Sequence, residues 1–256
     1  MTVRVCLWDP HLAGGHKARR RVESDVIIWT MAYRPLPKSR FLVEPPPAVL
    51  VAPDIFQLAV RELEITPERG VSNKDKAAFN LDQARKAHAL LRGVDWSAFD
   101  RFWIEGGNEW QRRHDKAAHI EFQGPKSTTV SAEVKREVAR RDGWTCRYCG
   151  LRVITSATMT ELERRLPAAL PRAEKMHESI GSHPMQCVLR LTWDHVDPHA
   201  HGGGSTADNV VATCGTCNFQ KGNCSLDELS LQDPFASSPV SSDWDGLDGR
   251  LGARPL

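Results

Sequence analysis

Two cysteine motifs in the second half of the chain share one spacing. Residues 146–149 read CRYC and residues 214–217 read CGTC, and Gly150 and Gly215 supply the small residues that tight turns require. Two cysteines separated by two residues can converge on one ion, and two such pairs form the tetrahedral four-thiolate site typical of structural zinc. We therefore predict one structural Zn²⁺. Its predicted ligands are Cys146, Cys149, Cys214 and Cys217.

The composition is that of an ordinary globular protein. The chain has 256 residues, with 41% hydrophobic and 26% charged side chains, enough for one large domain or two modest ones. No run of about 18 apolar residues is present, and Met1–Pro10 lacks the apolar core of a signal peptide, so we expect a cytoplasmic protein. Seven cysteines, an odd number, argue against a disulfide framework. The net charge of +2 does not by itself indicate a nucleic-acid partner.

Residues 1–125 are predicted to form a mixed α/β region of unknown fold that serves target recognition or assembly. Its strand-like runs are rich in β-branched and aromatic residues, and its helices show apolar residues at helical spacing. The strand-like runs are 3–8 and 26–33, and the predicted helices are 54–65, a helix that begins after Ser72, and 108–119.

Two features of this region bear on nucleic-acid binding, and both have a plainer interpretation. Trp96, Phe99 and Trp103 lie at helical spacing, so we expect them in a core rather than stacked on bases. The basic cluster at residues 17–21 could touch phosphates, but a short charge run is usually solvated surface. Nothing in residues 1–125 forms a recognisable catalytic constellation.

The C-terminal part is predicted to be a small zinc-containing domain at residues 131–230. Ser131 can cap its first helix, and residues 151–187 are interpreted as an insertion between the two cysteine motifs. Residues 237–256 are rich in Ser, Asp, Pro and Gly, so we expect a disordered acidic tail. The predicted fold class is α+β.

The residues between and beside the cysteine motifs suit the hydrolysis of a phosphodiester. Asp194 and His195 lie near the end of a strand-like run at 187–196, and a helix predicted at 210–221 carries Asn218. Hydrolysis needs a base that activates water and a cation that neutralises developing charge. Asp194 and Asn218 offer the oxygen ligands that Mg²⁺ or Mn²⁺ prefers. His195 titrates near neutrality and is the predicted base.

The sequence resembles the HNH endonuclease family over about residues 131–226. The motifs that carry the resemblance are RDGWTCRYCG at 141–150, DHVDP at 194–198, GGG at 202–204, NVV at 209–211 and CGTCN at 214–218. The resemblance implies a ββα-metal finger joined to a zinc knuckle. It also implies that His195 is the general base and that Asp194 and Asn218 hold the catalytic metal. By the same likeness, Asn209 belongs to the catalytic set as the residue that braces the loop and the histidine.

One departure from the family pattern affects the choice of metal. The family's final histidine is replaced by Asn218, which makes the motif an HNN variant similar to the phage resolvases of the endonuclease VII type. An amide oxygen is a harder ligand than imidazole and favours Mg²⁺ or Mn²⁺ over nickel or zinc. His199 and His201 lie near the loop, and whether they assist the metal or a phosphate stays open.

Two functions from different classes remain at this point. The first is a metal-dependent endonuclease that cleaves DNA, with double-stranded DNA as the expected partner. The second is a zinc-stabilised nucleic-acid-binding or protein-interaction module without catalysis. The presence of Asp194, His195 and Asn218 together favours the enzyme, because a binding module does not need all three. Cleavage of RNA and a homodimeric assembly are left open.

Overall fold

The computed structural model describes residues 45–114, 129–170, 184–229, 231–239 and 242–256. The strands predicted at 3–8 and 26–33, the basic cluster at 17–21 and the end of the helix predicted at 108–119 lie outside these residues. The described part is α+β, with helices arranged around one antiparallel sheet of two strands. None of the helices in this part is both long and apolar enough to cross a membrane.

Three helices form the N-terminal portion of the described fold. Helix α1 (Pro47–Glu64) begins earlier than the sequence predicts, because Pro47 occupies the first position, where its missing N–H is not needed. Helix α2 (Asn73–Leu91) begins after Ser72, whose side chain accepts a hydrogen bond from the backbone of the helix. Helix α3 (Trp96–His114) runs unbroken, whereas the sequence predicts a separate helix from residue 108.

Two further helices flank the first cysteine motif. Helix α4 (Ala132–Asp142) is capped by Ser131, as predicted, and ends at Gly143, which adopts the left-handed conformation with a φ of 59°. Helix α5 (Ser156–Arg165) lies in the predicted insertion and buries its apolar side chains Met159 and Leu162.

The second cysteine motif joins a strand to a helix. The segment contains helix α6 (Pro184–Leu189), strand β1 (Leu191–His195), strand β2 (Val210–Cys214) and helix α7 (Gly215–Lys221). The strands are antiparallel, with Asp194 opposite Val211. The prediction of one strand at 187–196 and one helix at 210–221 was therefore wrong in its boundaries. Short apolar runs such as Val210–Ala212 do not distinguish strand from helix by periodicity.

The aromatic stripe of α3 packs inside the protein, as the sequence analysis expected. Phe99 and Trp103 are buried and Trp96 is partly buried, and α3 packs against α6 and α7. One apolar core contains residues from α1, near Val49, through to Leu251 in the C-terminal segment. The division of the chain into domains at 1–125 and 131–230 stays a prediction.

The C-terminal segment is ordered where the sequence composition indicates disorder. Trp244, Leu247 and Leu251 are buried in the main core, and Trp244 Nε1 donates a hydrogen bond to Val153 O at 2.9 Å. Acidic residues here serve as acceptors for backbone N–H groups, as Asp245 Oδ1 does for Leu247 N at 2.9 Å. The expectation of a disordered tail over residues 237–256 was wrong for 242–256, because acidic and glycine-rich composition concealed three well-spaced apolar anchors.

Candidate active site

The four predicted zinc ligands come together in one buried cluster. Their sulfur atoms all lie within 4.8 Å of one another, and Cys149 Sγ is 3.8 Å from Cys214 Sγ. Four sulfurs placed tetrahedrally about 2.3 Å from a zinc ion would lie roughly 3.8 Å apart. The cluster therefore fits a structural zinc ion, and among the described residues it is the one group of three or more His, Cys, Asp or Glu side chains with this convergence.

Backbone contacts bring the two cysteine motifs together. The first motif forms a tight turn in which Gly150 N donates to Cys146 O at 2.8 Å. Arg147 N then donates to Ala212 O of β2 at 2.9 Å, which fixes the turn beside the strand that leads to Cys214. The end of α4 holds the same strand, since Asp142 Oδ2 accepts a hydrogen bond from Ala212 N at 2.8 Å.

Asp194 is a buried carboxylate with two protein partners. Its side chain is only 4% exposed, the hydroxyl of Tyr148 donates to Oδ2 at 2.6 Å, and Lys221 Nζ lies 3.3 Å from the same oxygen. Burial raises the pKa of Asp194 to about 6, against the opposing effect of Lys221. The carboxylate is therefore mostly ionised at neutral pH. Burial also raises the pKa of Tyr148 well above its usual value, so the phenol keeps its proton and acts as the donor.

His195 is the last residue of β1 and is partly exposed. Its Nε2 is 2.9 Å from Ser205 Oγ, and its ring lies 5.7 Å from that of His199. Burial lowers the pKa of His195 below 6.5, and the nearby His199 and Lys221 act in the same direction. The imidazole is therefore neutral at pH 7 and able to accept a proton. Adjacent residues of a continuing strand point to opposite faces, and His195 lies where β1 ends.

Asn209 holds the loop that connects the two strands. Its Oδ1 accepts a hydrogen bond from Asp197 N at 2.8 Å, and its Nδ2 donates to Asp197 O at 3.0 Å and to Gly204 O at 2.9 Å. Gly203 is needed for this close approach, because a Cβ there would lie 1.9 Å from Asp197 O and 2.8 Å from Asn209 Nδ2. These contacts are those of a residue that braces the loop.

Asn218 lies on α7 directly after the zinc-cluster residue Cys217. Its Nδ2 donates a long hydrogen bond of 3.5 Å to Trp193 O, so the side chain lies beside the strand residue that precedes Asp194. Within the described residues its Oδ1 has no hydrogen-bond donor. A carboxylate and an amide oxygen are the donor types that Mg²⁺ or Mn²⁺ accepts, and such ions complete their shells with water and phosphate. The pair therefore fits a hard divalent cation in chemistry, although Lys221 already offsets the charge of Asp194.

The comparison with protein families agrees with this geometry. Residues 184–224 match the family model described as HNH endonuclease, and they include β1, the loop, β2 and α7. The chain carries an HNH domain. A search of curated proteins and a search of solved structures gave no match. An HNH domain indicates nuclease activity on nucleic acids and the use of a divalent metal, and the β–β–α order of this one is the order that the resemblance implied.

Three residues that contact the predicted site residues were not predicted from the sequence. Tyr148 and Lys221 contact Asp194, and Ser205 contacts His195. Lys221 follows Asn218 by three positions on α7, so helical periodicity places both on one face and could have drawn attention to it. Tyr148 and Ser205 lie in irregular turns, and no periodic signal predicts where their side chains point. Among the loop histidines, His199 is buried and lies near His195, while His201 is partly buried.

Proposed function

We propose that this protein is a metal-dependent endonuclease that hydrolyses phosphodiester bonds of DNA. In this proposal His195 is the general base, and Asp194 and Asn218 hold a divalent cation, Mg²⁺ or Mn²⁺. The observation that carries the proposal is the placement of Asp194 and His195 at the end of β1, with Asn218 on α7 beside the backbone of Trp193 and directly after a cysteine of the four-cysteine cluster. All three residues lie in the segment that matches the HNH family model.

The state of His195 supports its role as base. Nε2 lies at hydrogen-bond distance from Ser205 Oγ, and in the tautomer in which Nε2 donates to this oxygen, Nδ1 carries the lone pair. Within the described residues no group donates to Nδ1, so this nitrogen is the atom that would take a proton from an attacking water. The lowered pKa keeps the ring neutral at pH 7, which is the state a base requires.

A divalent cation bound there would stabilise the charge that develops on the phosphate and its leaving oxygen. Asp194 suits its part because its carboxylate is ionised and its orientation is fixed by Tyr148 and Lys221. Asn218 is placed by the zinc cluster, since the preceding residue, Cys217, is one of the four cysteines. In this proposal the buried cysteine cluster is the scaffold that positions Asn218, and Asp194 and Asn218 would hold the cation together.

Plasmid cleavage tests this proposal. Purified protein should nick or cut supercoiled DNA with Mg²⁺ or Mn²⁺ and should stop when the cation is chelated. When Zn²⁺ is the only cation added back to the chelated protein, it should restore the fold but not cleavage. His195→Ala should reduce turnover by about 10²-fold or more while leaving zinc content and thermal unfolding unchanged, because a base acts only in the chemical step. His88→Ala, a histidine variant on α2, is the matched control and should cleave like the wild type.

The outcomes separate the alternatives. An active His195→Ala protein would remove His195 from the role of base. Binding of DNA without cleavage of plasmid, nicked, branched or single-stranded substrates would favour the non-catalytic binding module. Cleavage of RNA alone would change the substrate and keep the chemistry. Metal titrations of Asn218→Leu examine the ligand assignment, and an unchanged metal dependence in that variant would mean that Asn218 is structural.

A further inference from the structure

The phenol of Tyr148 joins the zinc cluster to Asp194. Tyr148 lies between Cys146 and Cys149 in the first cysteine turn, and its hydroxyl donates to Asp194 Oδ2 at 2.6 Å. The ring and the carboxylate are both buried. A single short hydrogen bond therefore connects the turn that contributes two cysteines to the side chain that is proposed to hold the divalent cation.

The position of this hydroxyl is set by the backbone of the turn. Cys146 N donates to Leu151 O at 2.8 Å, Gly150 N donates to Cys146 O at 2.8 Å, and Gly150 adopts a left-handed φ of 74°. Arg147 N binds β2 through Ala212 O. The backbone of the turn is fixed in this way and the ring of Tyr148 is buried, so the hydroxyl offers Asp194 a hydrogen bond from a restricted position.

A second donor holds the carboxylate from the opposite element. Lys221 Nζ on α7 lies 3.4 Å from Asp194 Oδ1 and 3.3 Å from Oδ2, and it donates to His195 O at 2.7 Å. Lys221 brings a charge, whereas Tyr148 is neutral. The two partners thus do different things: Lys221 offsets the negative charge, and Tyr148 directs the carboxylate without reducing its charge. The terminal torsion of an aspartate has a broad minimum, so its orientation depends on such partners.

We propose that Tyr148 is a positioning residue that transmits the geometry of the zinc turn to Asp194 and so sets how well the site holds its divalent cation. The inference rests on the proposed role of Asp194 as a cation ligand. Partners that orient metal ligands by hydrogen bonding typically contribute 10- to 100-fold to metal affinity or activity. Tyr148→Phe, which removes only the hydroxyl, should therefore weaken Mn²⁺ binding by about 10-fold or more.

Mn²⁺ binding to the zinc-loaded full chain, measured by electron paramagnetic resonance, tests the inference without relying on cleavage. Zinc content of Tyr148→Phe should stay at the wild-type level. Thr192→Val is the matched control, because it also removes one partly buried hydroxyl, which contacts Thr213 across the same sheet and does not touch Asp194. The control should bind Mn²⁺ like the wild type. Equal Mn²⁺ affinity in Tyr148→Phe and the wild type would overturn the proposal.

The rarity of tyrosine in this chain offers a direct spectroscopic readout. The two tyrosines are Tyr33 and Tyr148, so a Tyr33→Phe protein labelled with 3-fluorotyrosine reports from position 148 alone. Its ¹⁹F chemical shift should change on addition of Mg²⁺. This change should reach its limit over the same Mg²⁺ concentrations that displace Mn²⁺ in a competition experiment. A resonance that does not respond while Mg²⁺ displaces Mn²⁺ would contradict a coupling between the phenol and the cation site.

Failure of this inference and failure of the proposed function give different results. A wild type that binds Mn²⁺ but cleaves no nucleic acid ends the assignment as an endonuclease, and the two spectroscopic measurements still decide the role of Tyr148. A wild type that cleaves, with a Tyr148→Phe variant that binds Mn²⁺ and cleaves equally well, ends the inference alone. Absence of Mn²⁺ binding in the wild type ends both.

Discussion

The two sides of helix α7 are held in different ways. On the side of the zinc cluster, its first turn is fixed by Cys214 and Cys217, and its last residue, Lys221, makes polar contacts with Asp194 and the backbone of β1. On the opposite side, α3 contacts α7 through close van der Waals packing. Among the described residues, no side-chain hydrogen bond or ion pair joins α3 to α7.

The packed side is close and carries unsatisfied polar atoms. A Cβ at Gly106 of α3 would lie 2.1 Å from Gln220 Nε2 and 2.8 Å from Thr216 Cγ2, so the helices touch through a glycine. Trp103 stacks on Phe219 with ring centroids 5.3 Å apart. Both amide atoms of Gln220 and the hydroxyl of Thr216 are buried without a hydrogen-bond partner in the described structure.

The zinc side of α7 is expected to tolerate few substitutions, and the α3 side is expected to tolerate more. Ligand chemistry dictates residue types and spacing on the zinc side, so a single change there removes an interaction that nothing else replaces. Packing on the α3 side is shared among many side chains, so a single substitution there removes only a fraction of the packing energy. We expect mutations on the two sides to differ in size and in sign.

Loss of a cysteine on the zinc side should be the most damaging substitution. Cys146→Ser should lose the zinc ion and with it binding free energy on the order of 10 kcal/mol, so the HNH domain should not fold cooperatively. Elemental analysis and calorimetric unfolding measure both losses. Cys187→Ser, a change outside the cluster, should keep zinc content at the wild-type level. Normal folding of Cys146→Ser without zinc would show that the cluster is not a structural metal site.

A smaller effect is expected in the loop that Asn209 braces. Gly203→Ala should destabilise the protein by about 2–3 kcal/mol, since the new methyl group overlaps Asp197 O and displaces the hydrogen bonds of Asn209. Gly204→Ala is the matched control, because its Cβ would meet nothing closer than Thr206 Cγ2 at 3.9 Å. Denaturant unfolding compares the two, and equal losses would contradict the tight contact at Gly203.

Gly106→Ala examines the packed side. Alanine improves helix propensity by about 1 kcal/mol, but its methyl group must displace the buried amide of Gln220, so we expect a net loss of about 1 kcal/mol. Zinc content should not change, while cleavage should fall if α7 moves. Glu105→Ala, an exposed change on the same helix, should be neutral. A stabilised Gly106→Ala protein would mean that the α3–α7 contact is looser than the structure indicates.

The smallest expected effect has the opposite sign. Gln220→Met keeps the length of the side chain and removes two buried polar atoms that have no partner in the described structure, so the free energy of unfolding should rise by up to about 1 kcal/mol. Thermal unfolding measures it. A clear loss of stability would indicate that the amide is satisfied by water or by residues outside the described part.

The four-cysteine cluster could be predicted from the sequence better than the structure around it. The zinc ligands follow from spacing, and the position of His195 at the end of a strand follows from the alternation of side chains along β-structure. The ends of β2 and α7 do not follow, because an apolar run as short as Val210–Ala212 carries no decisive period. The contacts of Tyr148 with Asp194 and of Gly106 with Gln220 join residues far apart in sequence, so no local sequence pattern predicts them.

The buried ion pair of Asp194 and Lys221 has a consequence for the ionic strength of any assay. Mobile ions screen buried charges weakly, so this pair should be nearly insensitive to salt between about 50 and 200 mM. Attraction to the phosphate backbone of a nucleic acid falls steeply over the same range. An increase in the potassium chloride concentration should therefore weaken binding of the polyanion while leaving the orientation of Asp194 intact. One salt titration can thus separate substrate binding from the chemical step.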